Sequence, residues 1–215
     1  LDEEDKYCSD AIPIKPQRLM RELPNIFPAN THYLADAGNS FSWATHYLHP
    51  RDRRIAGRRD AKGGLFRASL NFASMGWAIG SAIGTALARR DKPVVCITGD
   101  GSLLMSGQEI TVAIQEKLPV VFVILNDSAY GMVKHGQQMT GGEAIAAELP
   151  ETNFAAFAEA MGVEGHIIYS ADDLLQLDGH ALFKKPGPTL LDVRIDKDEA
   201  PPFGVRIKTL KQSND

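Results

Sequence analysis

Residues 94–109 read VVCITGDGSLLMSGQE. Val94, Val95, Cys96 and Ile97 have the character of a buried strand. The chain then passes through Gly99-Asp100-Gly101. Ser106-Gly107-Gln108-Glu109 has the form of a capping box, so a helix is expected from Ser106, with Met105 and Ile110 placed as a hydrophobic staple. On that reading residues 99–105 are a loop at the carboxyl end of a strand, where open α/β sheets bind ligands. Small residues there let backbone N–H groups approach an anion. Asp100 would repel the same anion. A divalent cation between the carboxylate and phosphate oxygens removes the conflict.

Such a cation needs a second oxygen donor. After Gly101 come 24 residues, 102–125, and then Asn126-Asp127. A helix and a strand take up about that length, so Asn126 arrives at the carboxyl end of a neighbouring parallel strand. Asp100 and Asn126 are therefore expected to converge on one ion.

Outward from this stretch the pattern alternates. Residues 31–36 read as a short strand, 75–90 as a helix, 92–98 as a strand and 118–126 as a long apolar strand. Residues 153–162 read as a helix with Phe154, Phe157, Ala158 and Met161 on one face. "DDLLQLDGHALF" (172–183) is a further helix candidate, and 188–195 a last strand. Continuous apolar strands between helices predict a doubly wound α/β fold, its mainly parallel sheet covered by helices on both faces. We divide the chain into a polar N-terminal segment (1–15), one domain (16–200) and a C-terminal tail (201–215). The absence of an initiator Met suggests a piece of a longer chain.

With 215 residues, 44% of them hydrophobic, the chain can bury one sizeable core. A net charge of −4 argues against nucleic acid, and the arginine-rich 49–60 reads as a solvated loop tempered by Asp52 and Asp60. Residues 68–88 carry no charge, but Asn71 and the serines, threonines and glycines make them too weakly apolar for a membrane span. Gly76, Gly80 and Gly84 fall on one helix face. With Trp43, Phe72 and Trp77 they suggest apolar surface for association. Cys8 and Cys96 form no disulfide framework and suit a reducing, cytoplasmic setting.

Gly99-Asp100-Gly101, the 24-residue interval and Asn126-Asp127 together resemble the diphosphate-binding motif of thiamin-diphosphate enzymes. Most of the chain is similar to the C-terminal domain of the acetolactate synthase group. The resemblance implies Mg²⁺ held by Asp100, the Asn126 side chain and the Ser128 carbonyl, with Gly99, Gly101 and Ser102 at the diphosphate. It implies that Met75 supports the bent thiamin diphosphate and that the Ala73 carbonyl meets its aminopyrimidine. Asp36-Ala37-Gly38-Asn39-Ser40 resembles the family's Asp-x-Gly-Gln-His loop at the diphosphate, with Asn39 and Ser40 as departures. Tyr130, Gly131 and Met132 would line the diphosphate or substrate cavity, and His135 stands close enough to touch substrate.

The implied chemistry is decarboxylation of a 2-oxo acid such as pyruvate, with the cofactor as electron sink. The product is either joined to a second carbonyl compound, as in an acetolactate synthase making acetolactate from two pyruvates, or released as an aldehyde. The alternatives are another decarboxylase or carboligase of the superfamily, of benzoylformate, glyoxylate or oxalyl-CoA type, or a non-catalytic assembly domain. Biosynthetic members of the group carry a tryptophan shortly after Gly-Met-Val; here Gly136 stands there. "NDSAY" is closer to the catabolic acetolactate synthases. The family's activating glutamate comes from a pyrimidine-binding N-terminal domain, usually on a partner subunit, which implies a homodimer or tetramer. Glu109 and Glu116 read as solvent-facing or structural rather than as that glutamate.

Overall fold

The computed structural model describes residues 3–49 and 64–202. The arginine-rich stretch, apart from His49, and the tail beyond residue 202 lie outside the described residues. In chain order the elements are α1 (Glu4–Tyr7), α2 (Pro16–Ile26), β1 (His32–Ala35), α3 (Asn39–Tyr47), β2 (Phe66–Ala68) and α4 (Trp77–Ala88). They are followed by β3 (Val94–Gly99), α5 (Asp100–Ser106), a 3-10 turn at Gly107–Glu109, α6 (Ile110–Gln115), β4 (Val120–Asn126) and α7 (Gly131–Met139). The last elements among the described residues are α8 (Phe154–Ala160), β5 (Glu164–Ile168), α9 (Ala171–Leu175), a 3-10 turn at Ala181–Phe183 and β6 (Thr189–Arg194).

Among the described residues six strands form one sheet in the order β2-β1-β3-β4-β6-β5, and every neighbouring pair is parallel. Successive strand residues point to opposite faces, and both faces are apolar here. Val95, Ile97, Val121, Val123 and Leu191 pack with Leu19 and Leu23 of α2 and Trp43 and Tyr47 of α3. Val94, Cys96, Val120, Phe122 and Leu190 pack with Ala78, Ile79 and Ala82 of α4, Ile110 of α6 and Phe154 of α8. This is the doubly wound fold expected from the sequence.

Four expectations are corrected. No loop follows β3: α5 starts at Asp100, directly after the strand. The Ser106 hydroxyl caps nothing; Ser106, with φ −137°, is the last residue of α5 and leads straight into the 3-10 turn. The helix over 172–183 is only α9 and a separate 3-10 turn, because the Ser170 capping box starts it at Ala171 and it closes after Leu175. Trp43 is not surface: it is fully buried beside Tyr47, their ring centres 5.9 Å apart. Of the glycine face, Gly80 and Gly84 are exposed, whereas Gly76 is buried at the start of α4.

The polar segment 1–15 is tied into the domain. Ile14 is fully buried and bridges Ile195 in parallel. Lys15 reaches Asp196 at 2.6 Å and Glu199 at 2.8 Å, and Lys6 reaches Glu199 at 2.8 Å. Among the described residues no helix is long and apolar enough to cross a membrane.

Candidate functional site

A cleft of about 240 Å³ opens at the carboxyl ends of β1, β3 and β4. From β1 the chain turns outward to β2, and from β3 it turns the other way to β4. The connections therefore diverge between β1 and β3, the switch point where open α/β sheets leave a crevice. Gly38, Asn39 and Ser40 line the cleft after β1, and Ala73 and Met75 before α4. Gly99, Asp100, Gly101 and Ser102 line it after β3, and Tyr130, Gly131 and Met132 at the start of α7. All of these residues were singled out from the sequence.

Asp36 fixes the first wall. Fully buried at the end of β1, it accepts the Gly76 N–H and the Thr98 hydroxyl, each at 2.8 Å. One carboxylate thus joins β1, β3 and the N-terminus of α4. The chain enters α4 through two left-handed residues, Ala73 (φ +52°) and Gly76 (φ +87°). At Ala73 that conformation is strained; at Gly76 a side chain would also overlap the Ser106 hydroxyl. The turn leaves Met75 38% exposed at the cleft.

Asp100 and Asp127 form the polar floor. Burial raises the Asp100 carboxyl to about 7, and the nearby Asp127 charge adds to the shift. Burial likewise raises Asp127 to about 6. Backbone N–H groups offset this only partly: Gly101 N–H donates to Asp100 at 2.7 Å and Ala129 N–H at 3.3 Å. Two carboxylates desolvated together in an open cleft are suited to a hard cation.

The second oxygen donor is shifted by one residue from the expectation. Asp127 lines the cleft and Asn126 does not. Asn126 donates instead to the Thr152 carbonyl at 3.1 Å and to Asp192 at 2.8 Å. The strand period explains this: Leu125 and Asp127 share one side of β4, while Asn126 continues the side of Phe122 and Ile124. The Ser128 carbonyl is also turned elsewhere, accepting from Leu149 N–H at 2.8 Å. Ser128 itself is left-handed, with φ +54°, and Ala129 takes the place at the cleft. Asp127 and Ala129 are the residues the sequence reading missed; the alternation along β4 was the signal that could have found them.

Two glycines permit close packing around this floor. A Cβ on Gly101 would come within 2.6 Å of the Tyr130 ring. One on Gly131 would stand 2.6 Å from Asn39 Nδ2 and 2.8 Å from Asp127 Oδ2. The N-terminus of α7 is thus packed against both groups and presents its first N–H groups to the cleft. His135 does not reach the cleft. It is 4% exposed, and its Nδ1 lies 3.2 Å from Asn39 Nδ2.

Glu109 is exposed and Glu116 partly so, as expected. Among the described residues no three His, Cys, Asp or Glu side chains gather as a metal site. A cation at Asp100 and Asp127 would complete its shell with backbone and ligand oxygens.

Residues 36–193 match the family model described as the C-terminal TPP-binding domain of thiamine pyrophosphate enzymes. A putative acetolactate synthase large subunit from Mycobacterium tuberculosis is 34% identical over 185 residues, covering 86% of this chain and 32% of that protein. A sulfoacetaldehyde acetyltransferase from Alcaligenes xylosoxydans is 29% identical over 198 residues, with 88% and 30% covered. Among solved structures, a thiamine diphosphate-dependent 4-hydroxybenzoylformate decarboxylase from Rhodococcus jostii superposes with a TM-score of 0.74 at 25% identity, over 89% of this chain and 34% of that one. The chain spans about a third of the length of these relatives. With a doubly wound sheet, a cleft at its switch point and a family match over most of its length, the chain belongs to the C-terminal, TPP-binding domains of the thiamine pyrophosphate enzymes.

Proposed function

We propose that this chain is the Mg²⁺- and diphosphate-holding part of an enzyme acting on 2-oxo acids, and that the reaction is that of an acetolactate synthase, two pyruvates giving acetolactate and carbon dioxide. The carrying observation is the pair of buried Asp100 and half-buried Asp127 side by side at the cleft, where their carboxylates oppose a diphosphate anion unless a cation stands between them. The residues fit the group. Asp100, Asp127 and the Ala129 carbonyl offer oxygen ligands of the kind Mg²⁺ prefers. Backbone N–H groups of Ser102, Gly131 and Met132 lie at helix N-termini, where anions are favoured.

When bound, thiamin diphosphate supplies the electron sink for decarboxylation. The chain's own part is positioning. Met75, 38% exposed at the cleft, would support the cofactor, and the Ala73 carbonyl would accept from its aminopyrimidine. Leu70, Phe72, Met75, Leu104 and Met105 are exposed on the segments flanking the cleft, Phe72 by 91%. We assign this apolar rim to a pyrimidine-binding N-terminal domain of a partner subunit, which brings the activating glutamate. The protein then works as a homodimer or tetramer.

A second reading is an arylic 2-oxo acid decarboxylase, supported by the likeness to the solved 4-hydroxybenzoylformate decarboxylase. Calorimetry with thiamin diphosphate, with and without Mg²⁺, tests the cofactor reading; binding that ignores Mg²⁺ overturns it. Product analysis from pyruvate and from benzoylformate, with the pyrimidine-binding domain present, separates the two reactions. Acetolactate supports the first, benzaldehyde the second.

A further inference from the structure

The Asn39 carboxamide is held in an orientation that costs it a hydrogen bond. Its Nδ2 faces His135 Nδ1 at 3.2 Å. Its Oδ1 is sealed from solvent and has no hydrogen-bond partner among the described residues. Turning the amide by 180° would exchange oxygen and nitrogen at almost the same shape. Something therefore selects the observed rotation against the penalty of a buried, unsatisfied carbonyl.

His135 makes that selection. An amide nitrogen only donates, so at 3.2 Å from Asn39 Nδ2 the His135 Nδ1 must accept. The ring proton is then on Nε2, and Nδ1 keeps its lone pair. Burial and then the Lys134 ammonium hold the imidazole below its ordinary pKa, against weaker opposite pulls from the Lys197 carbonyl and the Asp198 charge. The neutral ring can only accept at Nδ1, so only the nitrogen end of the Asn39 amide can face it.

The nitrogen end is also the one at the cleft. Nδ2 is the atom that a Cβ on Gly131 would strike, beside Asp127 Oδ2. An amide nitrogen carries two N–H groups; one goes to His135 and the second remains for a ligand. We propose that His135 is a positioning residue: through Nδ1 it fixes the rotation of the Asn39 carboxamide, so that the cleft meets an N–H donor rather than a carbonyl oxygen. That polarity suits an anionic oxygen and rejects a ligand hydroxyl or amine seeking an acceptor. The inference rests on the diphosphate reading of the cleft.

The test uses the 215-residue chain with two probes, inorganic pyrophosphate plus Mg²⁺ and the ring-nitrogen NMR spectrum of His135. His135→Gln keeps an acceptor for Asn39, whereas His135→Leu keeps only bulk. We expect His135→Leu to weaken pyrophosphate binding about tenfold, the effect of one hydrogen bond, and His135→Gln to stay within roughly threefold of wild type. In wild type, Nδ1 is expected to be unprotonated at neutral pH, and Asn39→Ala to move its nitrogen shift. Equal losses in the Leu and Gln variants overturn the proposal, as does a proton on Nδ1. Should His135→Leu not fold, the Gln variant and the wild-type spectrum still decide. If wild type binds no pyrophosphate, the diphosphate reading falls, and the spectrum alone judges the Asn39–His135 pair.

Discussion

Asn126 Nδ2 donates to Asp192 Oδ1 at 2.8 Å, across the β4–β6 pair. Asp192 is fully buried and also accepts from Phe154 N–H and Arg194, each at 2.9 Å. Asn126 therefore belongs to the clasp that holds the start of α8 on the sheet. Asn126→Ala is expected to lower stability by about 2 kcal/mol, because a buried carboxylate loses a donor. The folded variant should keep its Mg²⁺-dependent ligand affinity. Denaturant melts and calorimetry check both halves.

Asp127→Ala is expected to act in the opposite sense. It removes one of two carboxylates that burial raises, to about 6 and about 7. At pH 8 both are charged in the ligand-free chain, so the variant should gain about 1 kcal/mol of stability while Mg²⁺-dependent affinity for thiamin diphosphate falls at least about tenfold. A melt without ligand and a titration with Mg²⁺ give the two readings.

Gly131→Ala and Gly101→Ala test the close packing of the cleft. In Gly131→Ala the methyl is pressed between Asn39 and Asp127; in Gly101→Ala it is pressed on the Tyr130 ring. Each should cost about 1–3 kcal/mol of stability. Diphosphate affinity should fall further in Gly131→Ala, because the two groups it displaces are polar and face the ligand. Equal affinity losses would mean that α7 merely shifts as a body.

Acid stability should report on the N-terminal tie. Burial pushes the Glu199 carboxyl up, but hydrogen bonds from Lys15, Lys6 and Gln17 outweigh it and hold it below its ordinary value. A carboxylate with a depressed folded pKa lends stability that is complete above its unfolded value, about 4.3, and is lost as pH falls through the folded value. Lys15→Met is therefore expected to cost about 1.5 kcal/mol at pH 7. The difference from wild type should shrink below about pH 4. Melting temperature measured against pH checks the sign.

The fold was largely legible because both faces of the sheet are apolar, so β3 and β4 appear as unbroken runs. The cleft's three walls were legible from Asp36–Ser40, Gly99–Ser102 and Tyr130–Met132. What failed were choices between adjacent residues. Ser106 and Glu109 satisfy the capping pattern, yet β3 passes directly into α5 and the helix has already begun. Asn126 and Asp127 are both plausible oxygen donors, and only the side of β4 on which each falls separates them. Edge strands β2 and β5, short and partly exposed, carry little periodic signal. The partner chosen by His135 depends on a contact 96 residues away in sequence, which no local pattern encodes.

Because every strand pairing is parallel, no wall of the cleft can be built by a local hairpin. Asp36 meets Gly76 and Thr98 across 40 and 62 residues. Asp100 meets Ala129 across 29. Such contacts are made only after long loops have closed, which slows folding and leaves the cleft among the last features to appear. A ligand seated there has little to grip in the folding transition state. It would lengthen the lifetime of the native chain by slowing unfolding, and leave the folding rate almost untouched.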